Sequence, residues 1–192
     1  GEAKEAIDLW VALEPDSMHA RQAAVALFVA NGQLDNVRPH VEQLLKLEPE
    51  TVDKAFMQIN KLLSHHPDRE AVLKLVQQLA ASYPDLPEAH FAVSQAAWSA
   101  NEFKLAAKAM NQALELRPEW EMAAVHQGQI LQKIDKDKAL SFYDQYLDRF
   151  PRANDIRIAY IRMLMEEREF DRGREQFQKL EQVNPSNPDI AL

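Results

Sequence analysis

The sequence predicts an all-α protein, an array of antiparallel helix pairs, and three observations predict it. A proline closes the same kind of amphipathic run six times: "VALEP" (11–15), "LKLEP" (45–49), "AASYP" (80–84), "ALELRP" (113–118), "LDRFP" (147–151) and "EQVNP" (181–185). The intervals between those prolines are 34, 35, 34, 33 and 34 residues. A fixed period of this size marks an architecture in which each repeat is one supersecondary unit stacked on the next. Composition agrees, with only 4 Gly among 192 residues and Ala, Leu, Glu, Gln, Lys and Arg dominant, a mixture that favours helix.

The elements follow in order. "GEAKEAIDLWVALEP" (1–15) is amphipathic and reads as the second helix of a cut repeat. Residues 16–49 form a repeat broken at "NGQLD" (31–35), and residues 50–84 a divergent one broken at "SHHPD" (64–68). In the third, 85–118, "PEAHFAVSQAAWSA" and "KLAAKAMNQALELRP" flank the turn "NEF". The fourth, 119–151, breaks at "KIDKD" (133–137), the fifth, 152–185, at "EREFD" (167–171), and 186–192 look like the start of another helix. Ala106, Ala109, Met110, Ala113 and Leu114 recur at spacings of three and four, which gives one buried helical face.

All ten prolines fit this plan. Pro87 and Pro188 stand where a first helix should begin. Pro39 and Pro67 are expected at or just before the first turn of a second helix, where an N–H has no intrahelical acceptor to lose. Asp35 and Asp68 are the expected N-caps of those helices, and no proline is expected in a helix middle.

The bulk numbers exclude several classes. A net charge of −8 argues against a phosphate-binding surface. No apolar run is long enough to span a bilayer. Without cysteine there is neither disulfide nor thiol chemistry, and the compartment stays open. The chain begins with Gly inside a helix and ends on a helix start, so it reads as an excerpt of a longer protein whose targeting signals would lie elsewhere.

At this level of detail the chain resembles the tetratricopeptide repeat family, whose pattern W-x2-L-G-x2-Y…A-x3-F…P also runs over 34 residues. With each repeat proline at position 32, position 20 holds Val37, Ala71, Ala106, Ala139 and Gly173, and position 24 holds Val41, Leu75, Met110, Tyr143 and Phe177. Position 11 holds Phe28, Leu62, Ala97, Leu131 and Leu164. The usually small position 8 is met by Ser94 and Gly128 but not by Val25, Ile59 or Ile161. "VDKAFMQINKLLSHH" departs furthest, and its repeat carries one extra residue near Tyr83. The resemblance implies a right-handed superhelical solenoid of about five repeats, with a leading helix and a trailing partial one. A narrower resemblance, carried by "YPDLPEAHFAVSQAAW", "LELRPEWEMAAVHQGQIL" and "ALSFYDQYLDRFPRANDIRIAYIRML", is to proteobacterial outer-membrane lipoproteins. Those face the periplasm and bring a protease to cell-wall hydrolases. That likeness favours a periplasmic location over a cytoplasmic one.

In the family, first-helix positions 2, 5, 9, 12 and 13 face a concave binding surface. This implies a peptide- or protein-binding groove made by Phe56, Phe91, Val125 and Ile158 at position 5. Asn60, Gln95, Gln129 and Arg162 would follow at position 9, and Leu63, Trp98, Gln132 and Met165 at position 12. Apolar pockets would hold side chains, amides would satisfy a ligand's backbone, and Trp98 would anchor. The carboxylate clamp of chaperone-binding members needs Lys at position 5 and Asn at position 9 of the first repeat, and Gln22 and Ala26 stand there. The implied function is a non-catalytic scaffold or adaptor.

Nothing in the sequence points to an enzyme, a cofactor or a metal. His19, His40, His65, His66, His90 and His126 show no i, i+4 pair, and the adjacent His65 and His66 read as a polar turn. Glu166–Glu167 and Asp135–Asp137 read as solvated carboxylates at helix ends. The alternative reading is self-assembly through solenoid ends, where Ile7 and Trp10 lack their own first helix and Phe177 and Leu180 lie beside the stub after Pro185.

Overall fold

The structure, a computed structural model, describes residues 2–63 and 66–183; the expected stub at 186–192, Pro185, Pro188 and His65 lie outside them. Among the described residues every long element is helical. The leading helix is α1 (Glu2–Leu13). Five pairs follow: α2 (Met18–Ala30) with α3 (Leu34–Leu47), α4 (Val52–Leu63) with α5 (Arg69–Ala80), α6 (Pro87–Ser99) with α7 (Phe103–Leu116), α8 (Glu121–Ile134) with α9 (Lys136–Arg149), and α10 (Asn154–Glu166) with α11 (Phe170–Val183). A short 3-10 turn, Pro49–Thr51, precedes α4. None of these helices is long and apolar enough to cross a membrane.

The chain divides into two compact units between Leu116 and Arg117. In the first, partners within a repeat pack together (α2 on α3, α6 on α7), and so do equivalent helices of successive repeats (α3 on α5, α4 on α6). The same holds in the second, where α8 meets α9 and α10, and α10 meets α11. Core side chains are therefore shared between neighbours: Phe28, Val37, Phe56, Leu79, Phe91 and Met110 in the first unit, Tyr143, Ile156, Tyr160 and Leu164 in the second. Burying each of the larger ones contributes about 1.5–3 kcal/mol.

The turns inside repeats show why the period holds. Gly32, Asn101 and Arg168 occupy the same repeat position, and all have left-handed backbone, with φ of +68°, 62° and 61°. The next N–H reaches back across each helix end, Gln33 to the Phe28 carbonyl, Glu102 to Ala97 and Glu169 to Leu164. The left-handed residue itself bonds Val29, Trp98 and Met165 respectively. This paired arrangement satisfies carbonyls that a helix end would otherwise leave open. The fourth repeat is one residue short because a single residue, Asp135, joins α8 to α9 and caps the latter by accepting from the Asp137 and Lys138 amides.

Between repeats a second device recurs that the sequence reading missed. Arg21 donates through Nε and Nη2 to the Pro15 carbonyl at 3.1 and 2.9 Å. Arg157 Nη2 donates to the Pro151 carbonyl at 2.7 Å, and His90 Nε2 lies 2.7 Å from that of Pro84. Three side chains, each six residues after a repeat proline, tie that proline's carbonyl to the following first helix.

Two expectations are corrected. Pro39 lies inside α3, which starts at Leu34 with Gln33 as its N-cap residue, and Asp35 sits in the first turn instead of capping. Pro39 costs the bond to the Asp35 carbonyl, and both residues are exposed, which keeps that cost off the buried face. Asp68 does cap α5, accepting from the Ala71 amide at 2.9 Å. In α4 the buried face is Val52, Phe56, Ile59 and Leu63, while Leu62, placed by the family register in the core, is 44% exposed.

Candidate functional site

Each repeat's first helix was expected to offer a row of groove residues, and the two units treat that row differently. In the first unit it is largely absorbed into the core. Phe56, Leu63 and Phe91 are each 1% exposed and have no surface to offer a ligand. Phe56 meets the ring of Tyr83 edge-on at 5.4 Å. The amides are engaged too, since Asn60 Nδ2 donates to the Ala92 carbonyl at 2.8 Å and to Gln95 Oε1 at 3.3 Å. Those bonds sew α4 to α6 with groups that were expected to greet a peptide backbone. Trp98 is half-buried and packs edge-on against Phe103, at 5.2 Å, at the start of its own second helix.

In the second unit the row stays open. A cleft of about 590 Å³ lies between α8 and α10. It brings together Val125, Gln129 and Gln132 from α8 with Ile158 and Arg162 from α10, five of the residues anticipated from sequence. The sixth anticipated in this unit, Met165, is 49% exposed but lies outside the cleft lining, its Sδ 3.2 Å from where a Cβ on Gly173 would stand.

A glycine sets what stands behind this cleft. Gly128 on α8 faces Tyr143 on α9, and a Cβ at that glycine would fall 2.3 Å from the phenol. The missing side chain lets Tyr143 fill the space behind the cleft, stacked on Tyr160 at 5.1 Å and 15°. Burial, and then the nearby Glu166 carboxylate, push the Tyr143 phenol up to about 12, so its hydroxyl stays protonated at neutral pH. At the mouth, Glu121 at the start of α8 accepts from the Asp155 and Ile156 amides at the start of α10. This satisfies first-turn donors and fixes the spacing of the two helices. At the far end Gln132 Nε2 donates to Glu166 at 3.1 Å.

The sequence reading overlooked Met122, His126, Tyr143, Asp155, Ala159, Met163 and Glu166, which also line the cleft. Met122 and Asp155 hold position 2 and Glu166 position 13, so the family register contained the signal for those three. His126 and Ala159 hold position 6, and only the helix packing reveals them. Burial lowers the pKa of His126, so it is neutral near pH 7. The floor is thus apolar and amide-rich. Arg162, exposed, makes no ion pair among the described residues.

The carboxylates at the ends of α8 and α10 have structural roles. Glu167 pairs with Lys136 at 2.6 Å, and Asp135 is a helix cap. Among the described residues no three His, Cys, Asp or Glu side chains gather in a way that could hold a metal ion. His66, the described member of the adjacent histidine pair, is 7% exposed and accepts from the Asp68 amide at 3.2 Å.

Residues 69–119 match the tetratricopeptide repeat family model. No curated protein sequence matches the chain. Among solved structures the fold is similar to MamA, with a TM-score of 0.59 at 14% identity over 91% of this chain and 96% of that one. It is similar to YrrB, a TPR protein with an unusual peptide-binding site, with a TM-score of 0.55 at 14% identity over 98% and 97%. A third is a thermophilic TPR protein of Thermus thermophilus, TTC0263, with a TM-score of 0.57 at 17% identity over 91% and 95%. Family model and structures together support the tetratricopeptide reading, and at these identities the structural likeness is one of fold.

Proposed function

We propose that the chain is a tetratricopeptide scaffold that binds a segment of another protein in the cleft between α8 and α10. The observation that carries this reading is the convergence of Val125, Gln129, Gln132, Ile158 and Arg162 on one open cleft beside Gly128. Half-buried Val125 and Ile158 supply apolar contact, Gln129 offers amide bonding to a backbone, and Arg162 is a cation free to pair. The fold of YrrB, which has a peptide-binding site, supports the reading by analogy. The finer reading, an adaptor segment of a periplasm-facing bacterial lipoprotein, rests on three sequence strings alone.

The test is photo-crosslinking from a reactive residue at Gln129 in cell extract, comparing the parent protein with Ile158→Lys and Arg162→Glu variants whose helical circular dichroism is intact. Selective loss of the same crosslinked partner in both variants supports the cleft. Unchanged crosslinking in both moves recognition away from it.

A second reading, self-assembly, is favoured by α1, where Leu9, Trp10 and Leu13 are 60%, 40% and 73% exposed. A dimer that dissociates in a Leu9→Glu, Leu13→Glu variant would support it. A monomer at all concentrations would end it.

A further inference from the structure

The extra residue of the second repeat builds another concavity, in the first unit. Helix α5 stops at Ala80, so the connector to α6 runs over residues 81–86, against 117–120 and 150–153 in the later repeats. This longer connector lies across from the 3-10 turn Pro49–Thr51, and a cleft of about 730 Å³ opens between them. Leu45, Val52 and Leu86 form apolar walls, and Tyr83 stands half-buried among them. The edge-on packing of Tyr83 against Phe56 fixes that ring in place.

The rim is charged and one-sided. Glu50, Asp53 and Asp85 line it against a single cation, Lys46, and none of the four makes an ion pair or side-chain hydrogen bond among the described residues. Some carboxylates elsewhere are answered from within, as Glu167 is by Lys136 and Asp144 by Arg172. An apolar cleft with an aromatic wall and unanswered carboxylates is complementary to a cation carried on an aliphatic stem.

We propose that this cleft docks a protein segment that presents an arginine beside an apolar residue. The arginine stem lies along Leu45, Val52 and Leu86, and its guanidinium meets the carboxylates of Glu50, Asp53 and Asp85 next to Tyr83. Arginine fits better than lysine because a planar guanidinium pairs with carboxylates through two bonds and stacks on an aromatic face. The surface shares no residue with the cleft between α8 and α10, so the two can fail separately.

The experiment titrates the whole chain with acetyl-Leu-Arg-Leu-amide, its citrulline counterpart and its lysine counterpart, read by methyl NMR of Leu45, Val52 and Leu86. The arginine peptide is expected to shift these signals, and citrulline, close in shape but uncharged, to bind at least about tenfold more weakly. A Glu50→Gln, Asp53→Asn, Asp85→Asn variant is expected to lose the response. Exposed Lys46→Glu is expected to tighten it about two- to fivefold, which guards against a mere folding defect in the triple variant. Equal binding of arginine and citrulline, or shifts that map elsewhere, would overturn the site. Lysine binding as well as arginine would overturn the arginine assignment.

Discussion

Gly128 shows how much one residue decides. A methyl group there would collide with Tyr143, which is itself pinned by its stack on Tyr160 and cannot yield as a flexible chain end could. Gly128→Ala should therefore destabilise the second unit by about 1–3 kcal/mol despite its better helix propensity. Denaturant titration checks this, and adding Tyr143→Leu should restore part of the loss. A gain in stability for Gly128→Ala alone would mean that the phenol has somewhere to go. His126 and His40 make a prediction about pH. Burial lowers both pKa values from 6.5, so the folded chain takes up these protons less readily than the unfolded one. The associated stability is present above pH 6.5 and declines as pH falls through it toward the lowered values. Melting temperatures at about pH 7.5 and 5.5 should show the drop, and His126→Gln should shrink it.

At the scale of the element, the sequence signalled helices through proline spacing and apolar periodicity, and their ends through turn residues. It was silent where a tertiary contact overrides local preference. Leu62 and Leu63 are indistinguishable as letters, and only the packing of α4 on α6 selects Leu63 for burial. Phe56 and Phe91 occupy ligand-facing positions of the family pattern, yet neighbouring helices close over them. The second unit escapes this because position 5 there carries the smaller Val125 and Ile158, which leave the cleft unfilled. Pro39 is the clearest local surprise, a helix-interior proline accepted on a wet face. Pro39→Ala should restore one backbone bond and raise stability by about 2 kcal/mol, after allowance for the looser unfolded chain. Slower amide exchange across α3 would accompany it, and an unchanged melting point would show that the bond is not regained.

For the whole molecule, stability is distributed over neighbouring contacts instead of residing in one central core. Damage should then stay local. Ala106 is fully buried at the crossing of α6 and α7, where its carbonyl accepts from Ser94 at 2.8 Å. Ala106→Leu should cost about 1–3 kcal/mol and speed amide exchange in α6 and α7, while α10 and α11 keep their protection. Uniform loss of protection along the chain would instead indicate all-or-none unfolding.

The longest hydrogen bonds that stitch one repeat to the next, Asn60 to Ala92 and Gln95, Glu121 to Ile156, and Gln132 to Glu166, join residues 32 to 35 apart, and Tyr160 and Arg172 reach Asp144 across only 16 and 28. A nascent chain thus needs only about one further repeat of synthesis before any such partner exists. No early segment has to wait, exposed, for a distant one. Growth on the ribosome can proceed by addition of finished hairpins, each new pair templated by the last.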